Sequence, residues 1–210
     1  MNFINKIKSG GKKKDSSSKL YMKEPYISGT LVNGSLKILV TLPKFVDLNE
    51  WLAVNTFDFF FYGNLFFGAV AEFCTVKDCP IMSSGPGFEY TWTDSQKKTI
   101  KLPGPQYIDY VMTWIQNLID DESIFPTKAG IEFQKDFQIQ IKVIYKQLFR
   151  VFAHIYYAHY EKILNLSAEG HLNTLFAHFV CFAKEFDLLD RKEMAPMNDF
   201  IVELEASGRI

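Results

Sequence analysis

The stretch FQKDFQIQIKVIYKQLFRVFAHIYYAHYEKIL, residues 133–164, contains no glycine or proline and is far longer than an ordinary β-strand. We expect it to form a single long helix. Its apolar residues recur at steps of three and four, so one broad stripe must be buried against other elements. The stripe consists of Ile141, Ile144, Tyr145, Leu148, Phe149, Phe152, Ile155 and Tyr156. Most of the chain is therefore expected to pack around this helix.

A second face of the same predicted helix carries positive charge. Lys142, Lys146 and Arg150 follow one another at steps of four, and His154 comes one step later. Arginine offers a forked pair of charge-assisted donors and lysine a mobile point charge, so this row can be interpreted as a phosphate site. A solvated helix face explains the same spacing, and spacing alone favours that alternative.

Two cysteines and two histidines form pairs with equal spacing. Cys74 and Cys79 are separated by four residues, and so are His154 and His159. Two thiolates and two imidazoles satisfy a tetrahedral zinc ion, and four protein ligands leave no open position for a substrate. Because a step of five residues ends about 140° from the starting face of an ideal helix, one member of each pair should lie at a helix end or distortion. The pattern predicts a structural zinc site.

Other interpretations of these residues are less favoured. The four could be two buried cysteines and two hydrogen-bonded core histidines, without a metal. His171, His178 and Cys181 form a rival set, but they lie on a very apolar predicted helix, where core packing is the commoner role. The sequence shows no Ser/His/Asp triad, P-loop or glycine-rich dinucleotide loop. A metalloenzyme would need an open coordination position, against which the count of four ligands argues.

Charge is distributed unevenly along the chain, although the net charge of the 210 residues is −1. Residues 1–24 hold seven lysines against two carboxylates, a balance of +5. The remaining 186 residues hold 16 cations against 22 anions, a balance of −6. An acidic body argues against broad nucleic-acid binding, which depends on contacts between cations and phosphates, and favours a basic protein partner.

Cysteine content and hydropathy indicate where the protein is found. Three cysteines are too few for a disulfide framework, and the first residues lack the apolar core of a secretory signal. No run approaches the ~18 apolar residues of a membrane span. We therefore expect a soluble protein in a reducing, intracellular compartment.

The chain is predicted to contain three regions. Residues 1–19 are rich in lysine, serine and glycine and should form a disordered basic tail. Residues 20–42 should form an extended arm, with one short strand near Lys37 to Thr41. Residues 43–210 should form one helical domain. Its predicted helices run from Asp47 to near Cys74, from Gln106 to Asp120, from Ser167 onwards at the centre of the bundle, and from Lys192 to Leu204, with a hairpin around residues 94–98.

Five segments of the chain match one family in order, over about residues 20–205. They are LPKFVDLNEWLAVNTFDFF (42–60), AEFCTVKDCPIMSSGP (71–86), YIDYVMTWIQNLIDDESIFPTKAG (107–130), LFRVFAHIYYAHY (148–160) and HLNTLFAHFVCFAKEFDLLDRKEMAP (171–196). Together they resemble the MOB family of kinase co-activators. The resemblance implies a mainly α fold with a four-helix bundle core, extra helices and a small β-hairpin. It also implies no enzymatic activity and a structural zinc ion on residues corresponding to Cys74, Cys79, His154 and His159.

The resemblance further implies a partner. Members of the family bind the basic segment that precedes the catalytic domain of NDR/LATS-type AGC protein kinases and hold the kinase in an activatable state. Their kinase-facing acidic helix corresponds here to Glu50, Trp51 and Asp58, in agreement with the acidic body. One acidic position of the LATS-binding members is Val46 here. As an alternative, Glu50 only caps its helix and Trp51 belongs to the core.

The basic row departs from the family pattern. In the LATS-binding members a Lys-Arg-x-x-Arg cluster receives a phosphorylated Hippo-type upstream kinase, whereas residues 146–150 read KQLFR and lack the middle cation. The departure predicts weak phosphopeptide binding and favours the NDR-binding branch, which acts in cell polarity and morphogenesis. A LATS-branch co-activator of mitotic exit and cytokinesis, and a phosphopeptide-binding scaffold, are the alternatives. The expected location is the cytoplasm, at the cell cortex, growth tips and division site, with the nucleus as a second site.

Overall fold

The long helical stretch is broken once, at His159. In the computed structural model, which describes residues 19–94, 96–128 and 130–210, one helix runs from Phe137 to Ala158 and a second begins at Tyr160. His159 itself has backbone angles of φ −129° and ψ 9°, outside the helical range. Phe133 lies before the first helix, with its ring 4.4 Å from that of Phe137. The prediction of a single helix from Phe133 to Leu164 is therefore wrong.

The described part of the chain is mainly α-helical, as predicted. Strands β1 (Thr91–Thr93) and β2 (Thr99–Lys101) pair antiparallel with Trp92 opposite Ile100, which confirms the small hairpin. Short 3-10 helices lie at Leu20–Met22, Ala71–Phe73 and Ala195–Met197. The α-helices are α1 (Lys37–Val40), α2 (Leu48–Val70), α3 (Gly104–Asp120), α4 (Phe137–Ala158), α5 (Tyr160–Asn165), α6 (Glu169–Glu185), α7 (Arg191–Met194) and α8 (Asn198–Ala206).

The core forms where the four longest helices, α2, α3, α4 and α6, pack together, which confirms the predicted four-helix core. Aromatic rings link three of them. Phe59 of α2 packs edge-on against Tyr145 of α4 and Phe179 of α6, with centroids 6.0 and 5.4 Å away. Tyr145 and Phe179 stack on each other at 5.0 Å. Offset and edge-on ring pairs are favourable beyond their buried area, so these contacts set the relative positions of the helices.

Helix α2 begins as the sequence predicts. The Asp47 carboxylate accepts hydrogen bonds from the backbone N–H groups of Asn49, at 2.8 Å, and Glu50, at 3.2 Å. These bonds satisfy donors that the first helical turn leaves free. Further along, Gly63 faces α4, where an added Cβ would lie 3.4 Å from the ring of Phe152. A larger residue would push the two helices apart.

The segment before α2 differs from its prediction. Residues 37–40 form the short helix α1 and not a strand, so that prediction is wrong. Leu36 and Val40, one helical turn apart, are buried where α1 packs against α6, whereas Ile38 is 86% exposed. A strand would place Ile38 on the same face as Leu36 and Val40, so the exposure of Ile38 between these two buried residues fits a helical turn and not a strand. Earlier in the segment, Tyr21 is also buried.

The final predicted helix, Lys192 to Leu204, is interrupted and is wrong as one element. It consists of α7, a 3-10 turn and α8. Pro196 falls inside the turn, and a proline has no N–H with which to continue an α-helical ladder. Within the described residues, no helix is both long and apolar enough to cross a membrane. The predicted tail, residues 1–19, falls outside the described residues except for Lys19.

Substituting Phe59 with alanine should lower the free energy of unfolding by about 3–5 kcal/mol, because the cavity left between α2, α4 and α6 is lined by aromatic rings that cannot collapse into it. Phe61→Ala on the same helix is the matched control, since Phe61 is 53% exposed and its loss should cost less than about 1 kcal/mol. Equilibrium denaturation in urea measures both. Equal losses would show that Phe59 is not a core contact.

Candidate metal centre

Four side chains from distant parts of the chain meet at one buried point. Cys74 follows the turn that ends α2, Cys79 lies in the next loop, His154 is in the last turns of α4 and His159 is at the break before α5. All four are buried, and their ligand atoms lie within 4.8 Å of one another. Cys74 Sγ is 3.5 Å from His154 Nε2, and Cys79 Sγ is 3.7 Å from His159 Nε2. The site can therefore hold a metal ion.

The break in the long helix at His159 brings both histidines to this site. On a continuous helix, His159 would point about 140° away from His154. Because the helix ends at Ala158, the two imidazoles instead lie with ring centroids 5.1 Å apart. Cys79 likewise lies in a loop, directly before Pro80. The prediction that one member of each pair lies at a helix end or distortion is confirmed.

A tight turn places the second cysteine. The Thr75 hydroxyl donates to the Asp78 carboxylate at 2.6 Å and accepts from the Asp78 N–H at 3.1 Å. The Cys79 N–H donates to the Thr75 carbonyl at 2.8 Å. These local bonds bring Cys79 back towards Cys74, so that both thiols face the histidines.

A backbone contact orients the first histidine. His154 Nδ1 lies 2.7 Å from the carbonyl oxygen of Ser83. A carbonyl can only accept a hydrogen bond, so Nδ1 carries the proton and the lone pair belongs to Nε2, which faces Cys74. Such a second contact is common for metal-binding histidines, because it holds the ring and its tautomer in place.

Burial controls the protonation of all four groups. It lowers the pKa of His154, and burial together with nearby His154 lowers the pKa of His159 to about 4. Burial, reinforced by the neighbouring Cys79, raises the pKa of the Cys74 thiol, and burial also raises that of Cys79. At neutral pH the imidazoles are therefore neutral and ready to donate lone pairs. A metal ion must displace the thiol protons, which couples binding to proton release.

Gly104, the first residue of α3, packs directly against this site. A Cβ added there would lie 2.9 Å from Cys79 Cβ and 3.2 Å from His154 Nε2. The Gly104 N–H also donates to the Cys79 carbonyl at 2.8 Å. The sequence analysis missed Gly104 as a site residue. The only local signal was a glycine between two prolines, Pro103 and Pro105, at the start of a predicted helix.

The basic row lies along one face of α4, as the spacing predicts, but its cations contact carboxylates of the same chain. Lys142 Nζ is 3.0 Å from Asp187, and Lys146 Nζ is 2.6 Å from Glu193. Arg150 Nη2 is 3.4 Å from the second oxygen of Glu193. The row is therefore not an open cationic surface.

The three predicted kinase-facing residues differ in their exposure to solvent. Glu50 and Asp58 are exposed on α2, whereas Trp51 is half-buried. The Trp51 indole N–H donates to the Val40 carbonyl at 3.3 Å, and its ring packs 6.3 Å from that of Phe182. Trp51 thus holds α1 and α6 together and offers only part of its ring to a partner.

The rival set of metal ligands does not assemble. Cys181 is buried, His178 is half-buried and His171 is exposed. Within the part of the chain that the structure describes, they are not part of any cluster of metal-ligating atoms, in contrast to the Cys74 site. His171 and His178 instead line a groove between α2 and α6.

Comparison with known proteins agrees with the family resemblance found in the sequence. Residues 28–197 match the model of the Mob1/phocein family. The chain is 52% identical over 191 residues to "Maintenance of ploidy protein mob2" of Schizosaccharomyces pombe, which covers 91% of this chain and 78% of that protein. It is 51% identical over 189 residues to "MOB kinase activator-like 1 homolog A" of Dictyostelium discoideum, covering 89% of each. It is 46% identical over 196 residues to "CBK1 kinase activator protein MOB2" of Saccharomyces cerevisiae, covering 93% and 68%.

Replacing Cys79 by serine should remove the bound metal ion and lower the free energy of unfolding by about 3 kcal/mol or more, because metal binding is coupled to folding. Cys181→Ser is the matched control, since Cys181 is equally buried but lies outside the cluster. It should keep the metal and lose only about 1–2 kcal/mol. Mass spectrometry of metal content and thermal denaturation measure the two effects. Unchanged metal content in Cys79→Ser would refute the site.

Gly104→Ala should disturb the same site without touching a ligand, since the new Cβ collides with Cys79 and with the ring of His154. We expect reduced metal content and a loss of about 1–3 kcal/mol in stability. Gly68→Ala serves as the control, because an added Cβ there meets nothing within 4 Å. In a helix that change should be neutral or stabilising by up to about 1 kcal/mol. Normal metal binding by the Gly104→Ala protein would contradict the packing argument.

Proposed function

Because the chain belongs to the Mob1/phocein family, we propose that it is a co-activator of an NDR-type AGC protein kinase and binds the basic regulatory segment that precedes the catalytic domain. One relative is named as a kinase activator of CBK1 and another as a MOB kinase activator-like protein, which supports a kinase partner. Two of the relatives carry the name Mob2, and Gln147 interrupts the basic row. Both observations favour the NDR branch over the LATS branch.

We infer that the buried cluster holds a structural zinc ion. Tetrahedral zinc, with bonds of ~2.3 Å to sulfur and ~2.0–2.1 Å to nitrogen, separates a sulfur from a nitrogen ligand by about 3.6 Å. The two Cys–His pairs are 3.5 and 3.7 Å apart, in agreement with that requirement. The ion would tie the end of α2 to α4 and α5. Four protein ligands leave no position for a substrate, which supports a protein that regulates and does not catalyse.

The observation that carries the kinase proposal is an acidic helix face beside an apolar groove. Glu50 and Asp58 are exposed on α2, and Asp58 also lines a groove of about 630 Å³ between α2 and α6. Several large apolar side chains along the groove are exposed to solvent: Leu31, Leu39, Tyr62, Leu65 and Leu166. An amphipathic helix with a basic face matches this surface, because its apolar side can fill the groove while its cations meet the carboxylates.

His178 forms part of the wall of this groove. His178 Nε2 is buried and has no hydrogen-bond partner among the described residues. Burial lowers the pKa of His178, and nearby Asp58 opposes that shift. The ring of Phe59 packs against His178 at 5.0 Å, so a segment bound in the groove would meet mainly apolar surface.

The buried part of the Trp51 side chain helps to fix the position of this surface. Its hydrogen bond to Val40 of α1 and its packing against Phe182 of α6 hold these two helices against α2 at the start of the acidic face. A partner would then meet a surface that is already in place, and a rigid surface loses less conformational entropy on binding. In this proposal, Trp51 positions the face and contributes only the exposed part of its ring.

Reversing both charges, Glu50→Lys with Asp58→Lys, should abolish co-purification with the N-terminal segment of an NDR-type kinase. Opposite potentials speed association, so we expect the association rate at low salt to fall by about tenfold or more. Surface plasmon resonance across a salt series measures this, with NDR-type and LATS-type segments compared side by side. The fold and the metal content should not change, because both side chains are exposed.

The control carries the same change in net charge at another surface. Asp109→Lys with Glu203→Lys reverses two exposed carboxylates on α3 and α8, and it should leave binding within about twofold of the wild type. If the α2 variant is folded and still activates the kinase normally, the binding face lies elsewhere. Preferential binding of the LATS-type segment would instead favour the other branch.

A further inference from the structure

We infer that Asn33 is a modification site at which the chain reacts with itself, and that this residue converts to aspartate and isoaspartate beside the groove between α2 and α6. Asn33 and Gly34 lie in the segment that leads into α1, and both are exposed to solvent. Their neighbours Leu31, Val32 and Leu36 line the groove. The reaction takes place in the free chain, so the inference does not depend on the proposed kinase partner.

The reaction needs only these two residues and water. The backbone nitrogen of Gly34 attacks Cγ of the Asn33 side-chain amide and gives up its proton to solvent. The bond from Cγ to Nδ2 breaks, and the leaving nitrogen takes up a proton and departs as ammonia. The product is a cyclic succinimide that joins the side chain to the main chain. Water then opens the ring at either carbonyl, which gives aspartate, or isoaspartate with the main chain running through the former side chain.

Gly34 leaves the attacking nitrogen accessible. Any other residue would carry a Cβ beside that nitrogen, whereas glycine allows a close approach to the backbone. Gly34 has a φ of 91°, and a Cβ added there would meet nothing within 4 Å, so the space around it is open. Its N–H donates no hydrogen bond to the backbone of the described residues. The nucleophile is therefore free to reach the Asn33 side chain.

The other asparagines in the described part of the chain lie in helices, and each is followed by a residue with a Cβ. Inside a helix, the N–H that would attack is bonded to the carbonyl four residues earlier. The pair of Asn33 with Gly34 is the only Asn-Gly sequence in the 210 residues. The helical asparagines are Asn49, Asn55, Asn64, Asn117, Asn165, Asn173 and Asn198.

Two hydrogen bonds fix the segment on either side of the reacting pair. The Leu31 N–H donates to the Thr174 hydroxyl of α6 at 2.9 Å, and the Leu36 N–H donates to the Arg209 carbonyl at 2.7 Å. Isoaspartate lengthens the main chain by one methylene, which residues 32–35 must accommodate between these fixed points. Both products also add a carboxylate and change the net charge of the chain from −1 to −2. The modification therefore alters the shape and the charge of the groove wall.

Tryptic peptide mapping of the full chain, after prolonged incubation in neutral buffer, tests the inference. Cleavage after Lys23 and Lys37 releases the peptide that contains Asn33, and deamidation raises its mass by about 1 Da. Chromatography separates the aspartate and isoaspartate forms of that peptide. We expect Asn33 to react about tenfold or more faster than the exposed Asn64 and Asn117, because helical hydrogen bonds hold the N–H groups that follow them.

Two variants serve as controls. Asn33→Gln should leave the peptide unmodified, since the longer side chain would have to close a larger ring. Leu65→Gly places a glycine after Asn64 inside α2, and Leu65 is 59% exposed, so the fold should be retained. Asn64 in that variant should still react about tenfold or more slowly than Asn33, because its neighbouring N–H stays bonded within the helix.

The free peptide of residues 24–37, incubated in the same buffer, shows how fast the pair reacts without the fold. The folded chain should react within about tenfold of this rate, because an exposed loop leaves both groups mobile. The inference is overturned if the folded chain is slower than that, or if Asn33 does not exceed Asn64 by the expected margin in the wild type and in Leu65→Gly. A product that contains aspartate without isoaspartate would also overturn it, since direct hydrolysis, and not a succinimide, gives aspartate alone.

Discussion

Enclosure of the second half of α4 is the constraint on which the rest of the structure depends. Six consecutive residues, Val151–Tyr156, are buried, so this part of the helix is surrounded on every side. An ordinary amphipathic helix keeps one face in water, and a helix buried all round needs partners in every direction. The long helices α2, α3 and α6 supply them, and at the end of this enclosed stretch the chain places the metal centre. The core and the cluster of four metal-ligating side chains therefore meet at the same junction.

The candidate metal centre brings together elements that lie far apart in the sequence. Cys74 and Cys79 belong to the end of α2 and its following loop, whereas His154 and His159 lie 80 residues further along the chain. Gly104 brings the start of α3 against the same ligands. An ion bound by these four side chains would couple the end of α2 to α4 and to the start of α5, and it would hold the α2 surface in a constant position relative to the core.

The charged side chains of α2 and of α4 differ in whether they are paired within the chain. On α2, Glu50 and Asp58 are left exposed next to an apolar groove, so their field can attract a basic partner. On α4, Lys146 and Arg150 are matched by a shielded Glu193, so their charge is satisfied within the chain. The net charge of −6 on residues 25–210 is thus not spread evenly over the surface. Packing decides which charged side chains face solvent and which are paired within the chain.

The sequence by itself determined the helical class of the fold, the cap of α2 at Asp47, the hairpin and the four residues of the metal centre, because these depend on periodicity, local hydrogen bonds and ligand chemistry. It could not determine the break at His159, the helical form of residues 37–40 or the place of Gly104. Nor could it show that Glu193 pairs with the cationic row, since that partner lies 43 residues from Arg150. Each of these features is set by contacts between segments far apart in the chain, where burial and close approach override the local pattern. Only the tertiary structure brings such groups together, and it therefore decides which charged groups are paired.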